Sequence, residues 1–383
     1  MQPTPDKVQI MGDPARQLLI EEGQDYIIGE ETELPFDVDE ELGSGLSAVV
    51  QKVRDRRNQR VFAKKTTIFT GLRLRAQHEE EFKNEVKIIR SLKDNRHIIR
   101  IFATYVAKRE FCMLLEPVAN ANLTQFLVNY KRMSNRATSP ESKTLKQSFG
   151  CLASGLAYIH RKGIRHRDIK PGNILVYGEE VIYTDFGASK VFNVASSTTT
   201  EGPPDFLTPR YAAPEVLDYD KRNYAADVFS LGCVFMEIFS ALTDRTYDAT
   251  QSFSTQIEQI HEDLESAPVS SQLSSLPNTI TSMMRQEMRK RATASQSSSI
   301  ICANADLCCN VCRGLHIAKI PSTENVLSSW TWAPTRGRFY RYVYQGGIVV
   351  ETKWCDSLSE TEGEWSATIN AACFHLNCKV MLT

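Results

Sequence analysis

Eight consecutive residues, His166 to Asn173 (HRDIKPGN), constrain this chain more than any other stretch. Within them lie Asp168, Lys170 and Asn173, and a second acid, Asp185, follows Asp168 by 17 positions in the tripeptide DFG. Asp168 supplies a carboxylate that can take a proton. Lys170 supplies a cation two residues on. Asn173 and Asp185 supply hard oxygen donors of the kind magnesium prefers. A proton acceptor, a phosphate-facing cation and two metal-binding side chains are what transfer of a phosphoryl group demands, because that chemistry rests on positioning and charge neutralisation.

Upstream, Glu41 to Val53 reads ELGSGLSAVVQKV, with Gly43, Gly45, Ala48 and Val50 spaced as G-x-G-x-x-A-x-V. Glycines let a backbone turn tightly and bring its N–H groups near phosphate oxygens. Alone, such a loop is a weak signal, and an ordinary hairpin turn is the better reading of it. The strand-like FAKK, Phe62 to Lys65, follows. Side chains alternate along a strand, so Lys64 and Lys65 face opposite sides. In HEEEFKNEVKIIRSL, Phe82, Val86 and Ile89 recur at helical spacing and Glu85 lies beside their face. Glu79, Glu80 and Glu81 read as a solvated first turn that suits the helix dipole. From Phe36 to about Val106 the pattern is strands with one helix. From Asn122 onward helices dominate, LKQSFGCLASGLAYIH being the clearest.

These motifs, in this order, resemble the eukaryotic protein kinases in their serine/threonine branch, over residues 36–300. The resemblance implies an α+β, bilobal protein-kinase fold: a small β-rich N-lobe, a larger mostly helical C-lobe and a short C-terminal appendage. It implies ATP and Mg2+, protein substrates with serine or threonine acceptors, and an upstream activating kinase. Leu42, Gly43, Gly45 and Val50 would cover the nucleotide, with Val50 and Ala63 against adenine and Lys65 on the phosphates. Glu85 would hold Lys65 once its helix swings in. MLLEPVANANL, Met113 to Leu123, matches the hinge. Leu115 is then the gatekeeper, and Glu116 and Val118 offer backbone groups to adenine; Pro117 has no N–H, which leaves Val118 as the donor. Asp168 would accept the substrate hydroxyl's proton, Lys170 would face the transferring phosphate, and Asn173 and Asp185 would hold magnesium. His166 and Phe186 would pack with Ile89 and Ile101 in an apolar column. Asp227 would cap the catalytic loop from beneath, with Phe229 in place of the family's frequent tryptophan. Glu215 of APE would pair with Arg291. All five key polar positions are filled: Lys65, Glu85, Asp168, Asn173 and Asp185. An active enzyme is therefore expected; the alternative is a pseudokinase scaffold that acts by binding partners.

Between DFG and APE stand five consecutive hydroxyl residues, Ser196, Ser197, Thr198, Thr199 and Thr200. They read either as a solvated loop or as phosphorylation sites. Arg167 favours the second reading, since a guanidinium beside the catalytic aspartate can receive a phosphate and order the segment. Thr208 matches the family's threonine that bonds the catalytic Asp and Lys, so it is not taken as the regulatory site. Gly172 and Asn122 stand where kinases selective for basic substrates carry acids. Ala212 stands where proline-directed kinases carry arginine. Neither strict preference is expected.

The rest of the chain adds bounds. A formal net charge of -1 over 383 residues gives no general attraction to nucleic acid. No apolar run reaches the roughly 18–20 residues of a membrane span. The nearest, Val228 to Leu242, contains Glu237 and reads as a buried core helix. The polar N-terminus has no signal-peptide core, so the chain reads as intracellular, cytoplasmic or nuclear, and its 10 cysteines as free thiols. Cys112, Cys151 and Cys233 fall in core-like stretches. Residues 1–35 read as a disordered leader, although Leu18, Leu19, Ile20, Tyr26, Ile27 and Ile28 suit packing on a lobe. A boundary falls near ATASQSSS, Ala292 to Ser299, and residues 301–383 form a tail. Its Cys302, Cys308, Cys309 and Cys312 contain one C-x-x-C spacing without a second distant pair, so they read as buried cysteines and not a zinc site. Strand-type residues flank Gly346-Gly347, which suggests a hairpin. Trp332 and Trp354 bracket GRFYRY, a loose likeness to a WW module that lacks its closing proline.

Overall fold

The computed structural model describes residues 8–10, 18–29, 32–44, 48–68, 72–107, 110–191, 208–220, 222–248, 250–266, 270–317, 327–333, 338–345, 348–355, 358–361 and 364–367. Gly45 and the run Ser196, Ser197, Thr198, Thr199 and Thr200 lie outside them. The chain divides into two compact units, Met1–Cys309 and Asn310–Thr383.

The first unit opens with a seven-stranded sheet. Its strands are β1 (Val8–Ile10), β2 (Asp25–Ile28), β3 (Phe36–Ser44), β4 (Ala48–Asp55), β5 (Val61–Ile68), β6 (Arg100–Ala107) and β7 (Glu110–Glu116), in the spatial order β1-β2-β6-β7-β5-β4-β3. Strands β3 to β7 pair antiparallel, whereas β1 and β2 join parallel at the β6 edge. Residues paired across strands share a face, as do alternate residues along one strand. Val53, Phe62, Cys112 and Leu114 therefore fall on one face and are buried there with Phe102 and Tyr105. The rings of Phe62 and Phe102 are 4.6 Å apart. Val50, Ala63, Lys65 and Leu115 fall on the other face.

The expected disordered leader is corrected here for residues 18–28. Leu18, Ile20, Tyr26 and Ile28 are part of the sheet's core. Asp25 receives both terminal nitrogens of Arg90, at 2.9 and 2.7 Å. Arg90 is in the last turn of helix α1 (Leu72–Ser91), so the leader strand grips the helix that carries Glu85. A second correction concerns that helix. It begins at Leu72, and Glu79, Glu80 and Glu81 sit in its middle. The good helix formers of LRLRAQ extend it upstream, and Glu79 pairs with Lys83 at 2.8 Å, one turn on.

The helical half contains β8 (Ala121–Asn122), α2 (Leu123–Arg132), α3 (Pro140–Arg161), β9 (Ile164–Arg165), β10 (Ile174–Tyr177), β11 (Glu180–Tyr183), β12 (Lys190–Val191), α4 (Pro214–Leu217), α5 (Tyr224–Thr243), α6 (Ile257–Glu265), α7 (Leu276–Met283) and α8 (Ala294–Cys302). Ser139 caps α3 and Pro140 opens it, a pairing that suits a helix start. The apolar run from Val228 to Leu242 lies within α5, which is long and apolar enough to span a membrane but is mostly buried inside the protein. It is the core helix of this half. The antiparallel pair β10 and β11 joins HRDIKPGN to DFG, with β10 starting right after Asn173 and β11 ending two residues before Asp185.

The stretch read as a boundary, Ala292 to Ser299, starts α8 instead. Thr293 and Gln296 form a reciprocal capping box, and Ser297 and Ser298 are buried. Their hydroxyls explain how a serine-rich segment packs. Ser297 donates to Thr293 O at 3.1 Å, and Ser298 meets Ser154 of α3 at 2.8 Å.

Among the described residues, the second unit contains α9 (Asn310–Ile317) and five strands. β13 (Leu327–Ala333), β14 (Arg338–Gln345) and β15 (Ile348–Cys355) form an antiparallel three-stranded sheet in chain order, and β16 (Leu358–Thr361) pairs antiparallel with β17 (Glu364–Ala367). Gly346-Gly347, between β14 and β15, and the side chains of Trp332 and Trp354 lie outside the described residues.

Candidate active site

Lys65 and Lys64 alternate on β5, and it is Lys65 that reaches an acid. Its Nζ is 2.7 Å from Glu85 Oε1 and 2.9 Å from Asp185 Oδ1. Burial alone would lower the pKa of this ammonium. The two carboxylates outweigh that effect and hold it above the usual lysine value. Lys65 in turn is the largest cause of the lowered Asp185 pKa. The helix α1 is thus swung in, with Glu85 almost wholly buried. Its neighbour Asn84 donates to the backbone oxygen of Ser189, just past DFG, at 3.1 Å.

Asp185 adopts φ +61°, a left-handed conformation tolerated by aspartate more than by most residues. Phe186 is fully buried, 4.7 Å from the His166 ring centroid. His166 Nε2 donates to Thr184 O at 3.1 Å, which marks it as a packing residue and not a base. Ile89 is buried near-completely. Ile101 is only half-buried, because the bulge between Ile101 and Ala103 turns Phe102 into the sheet core instead.

In the catalytic loop, Asp168 gathers its neighbours. Lys170 Nζ is 2.7 Å from Asp168 Oδ2 and 3.1 Å from Thr208 Oγ1, and Thr208 donates to Asp168 Oδ1 at 2.8 Å. Asn173 Nδ2 donates to both Asp168 O, at 2.9 Å, and Asp168 Oδ2, at 2.8 Å. Those bonds leave from the nitrogen, so the amide oxygen is the donor atom Asn173 keeps for a cation. With the Asp185 carboxylate, it makes an all-oxygen pair that fits magnesium. Beneath the loop, Asp227 accepts from the backbone N–H of His166 and of Arg167, each at 2.9 Å. It also accepts from His160 at 3.0 Å. Burial would raise the Asp227 pKa, but these donors hold it low. His160 had no motif to announce it; its one sequence signal is a second histidine six residues before His166.

On the sheet face that carries Lys65, Val50 pairs with Lys65 and Ala63 with Leu115, which is buried behind them. Gly43 pairs with Val50, and Leu42 is part-exposed near the strand's end. The side chain of Glu116 is held by Arg60 at 2.9 and 3.0 Å. Val118 follows in the connection to β8. Asn122 serves a different purpose from the acid it replaces: with Gln125 it forms the capping box of α2. Gly172 has open space where a side chain would project.

Arg167, at φ +71°, donates to Ala188 O at 3.1 Å. It lines one small cavity with Asp168, Thr208, Arg165 and Arg222. Burial pushes the Arg165 guanidinium down to about 10. Further out, Arg291 grips Glu215 through two bonds of 2.7 and 3.0 Å and lies 5.1 Å from the Phe229 ring centroid.

Residues 36–300 match the family described as the protein kinase domain. The chain belongs to the protein kinase family. Death-associated protein kinase 2 of Homo sapiens is 27% identical over 270 residues, covering 68% of this chain and 70% of that protein. Calcium/calmodulin-dependent protein kinase type 1 of Caenorhabditis elegans is 31% identical over 160 residues, 41% of this chain and 42% of that protein. Leaf rust 10 disease-resistance locus receptor-like protein kinase-like 1.3 of Arabidopsis thaliana is 32% identical over 163 residues, 42% of this chain and 23% of that protein. These likenesses identify a eukaryotic-type serine/threonine protein kinase.

Proposed function

We propose that the chain is an active kinase that transfers the γ-phosphoryl group of ATP to serine or threonine hydroxyls of proteins. One observation carries this reading: Lys65 lies within 2.9 Å of both Glu85 and Asp185, so the cation that would hold the phosphates is already placed. A scaffold that acts only by binding has no need of that cluster, nor of a second one around Asp168.

In this reading Asp168 takes the proton as the substrate oxygen bonds to phosphorus and the bond to the departing diphosphate breaks. Thr208 and Lys170 fix the carboxylate for that task, and Lys170 then offsets charge on the transferring group. Asn173 and Asp185 would hold magnesium, whose charge would further neutralise that of the phosphates. Val50, Ala63 and Leu115 present an apolar surface to adenine, and the backbone of Glu116 and Val118 offers the polar contacts. Leu42 would cover the nucleotide, and Gly43 and Gly45 would bring backbone N–H groups to the phosphates. Arg167 serves as receiver for a phosphate on one of Ser196, Ser197, Thr198, Thr199 or Thr200, a role its shared cavity with two further arginines supports. Residues 36–300 carry the catalytic machinery, within a unit that continues past the end of α8 at Cys302.

Incubation with ATP and magnesium tests this, comparing the chain with Asp168→Asn for autophosphorylation and for transfer to a general protein substrate. Transfer by the wild type that the variant loses supports catalysis. Equal incorporation by both overturns the role of Asp168, and none by the wild type on either substrate favours the scaffold.

A further inference from the structure

Away from the active site, three side chains with metal-binding atoms meet in the first unit. His97 comes from the turn before β6, Cys151 from α3, and Cys309 from the segment after α8. They are far apart in sequence, yet their ligand atoms lie within 4.8 Å of one another. His97 is 2% exposed and Cys151 3%. We propose that His97, Cys151 and Cys309 bind a zinc ion.

Three features support it. First, His97 Nδ1 meets the backbone oxygen of Val181 at 2.8 Å. A carbonyl only accepts, so Nδ1 carries the proton and Nε2 presents its lone pair, the usual way a ligating histidine is fixed. Second, zinc with Zn–N of about 2.0–2.1 Å and Zn–S of about 2.3 Å at a tetrahedral angle keeps nitrogen and sulfur about 3.6 Å apart. His97 Nε2 and Cys309 Sγ are 3.6 Å apart. A thiol donating to imidazole would span the same gap, but it gives no reason for Cys151 to converge on the same point. Third, the backbone N–H of Cys309 donates to Cys151 Sγ at 3.3 Å, a bond that favours a sulfur bearing negative charge. Arg96 adds a nearby cation. It is paired with Glu180.

Binding replaces two S–H bonds by two Zn–S bonds and releases two protons to solvent, with no change in oxidation state. Nitrogen and thiolate donors select zinc over magnesium or calcium. The ion would fasten the turn after α1 to α3 and to the end of the domain. Tyr183, two residues before Asp185, exchanges backbone bonds with this turn, to His97 O at 2.8 Å and from Ile99 N at 3.0 Å.

The test uses the full chain under reducing conditions, loaded with zinc, dialysed, and analysed for metal per chain. Cobalt(II) is then substituted for zinc. One zinc per chain, with cobalt spectra showing thiolate charge-transfer bands and tetrahedral d–d bands, is expected. Cys309→Ser and Cys151→Ser should lose the ion, while Cys233→Ser, a buried cysteine of α5, should keep it. Wild-type protein that holds no zinc and gives no cobalt bands overturns the proposal, and needs no variant to fold. So does undiminished zinc in both variants, or a Cys151–Cys309 disulfide in the freshly purified chain.

Discussion

Asp185 has a pKa lowered by Lys65, so its ionised form is favoured by folding. Its contribution is present above the unfolded value of about 3.9 and is lost as pH falls through the lower folded value. Lys65 is raised, so its share is present below about 10.4 and is lost only as pH rises through a still higher value. The cluster is therefore insensitive to pH near neutrality. In urea unfolding, the stability difference between wild type and Asp185→Asn should be constant from about pH 6 to 8 and shrink below about pH 4. A difference that grows on acidification contradicts this sign. At Gly172 nothing stands within 4 Å of an added side chain. Gly172→Glu should fold normally and favour peptides with arginine upstream of the acceptor. The gain should be no more than about 5-fold in kcat/KM, since an exposed ion pair contributes up to about 1 kcal/mol. An unchanged peptide-array profile would remove Gly172 from the account of substrate preference.

Elements set which motifs meet. Arg291 and Glu215 are both nearly inaccessible, and Arg291 also donates to the backbone oxygens of Arg285, Ala225 and Gln286. Removing one partner of such a pair strands a buried charge, so Arg291→Ala should cost about 3–5 kcal/mol in denaturant unfolding. A loss under about 1 kcal/mol would place the pair among surface contacts. Gly150 sits inside α3, where alanine would ordinarily gain about 1 kcal/mol. An added Cβ would fall 2.5 Å from Cys308 Cβ and 2.6 Å from Leu307 O, the latter backbone that cannot swing aside. Overpacking costs about 1–3 kcal/mol and should win, so Gly150→Ala is expected to be destabilising. A stabilised variant would mean the segment after α8 packs less closely on α3. The motif residues were legible because Lys65, Asp168, Asn173 and Asp185 each sit in a short local pattern. What joined the elements was not. Asp25 grips Arg90 across 65 positions, and Cys309 meets His97 across 212. Periodicity sees only neighbours along the chain, so the leader read as loose, while the cysteines read correctly as mostly buried but without their partners. ATASQSSS misled for a related reason: its serines suit a linker by composition, yet a capping box and buried hydroxyl bonds make it helix α8.

At the scale of the whole molecule, the strand-rich and helix-rich halves were readable from residue patterns in order. The two extra parallel strands at the sheet edge were not, since three-residue β1 and four-residue β2 are too short to announce themselves. The fold brings Lys65 from one half to Asp185 of the other, 120 positions on, and sets Asp168 in a cage of Lys170, Thr208 and Asn173. An assembled site on that scale is the reason to expect catalysis and not binding alone. The most direct measurement is phosphoryl transfer from labelled ATP, with magnesium, by purified wild type and Asp168→Asn in parallel. Loss of the positioned base should lower transfer about 10²–10⁴-fold while the variant unfolds at the same temperature. Equal transfer by the two proteins would contradict the account.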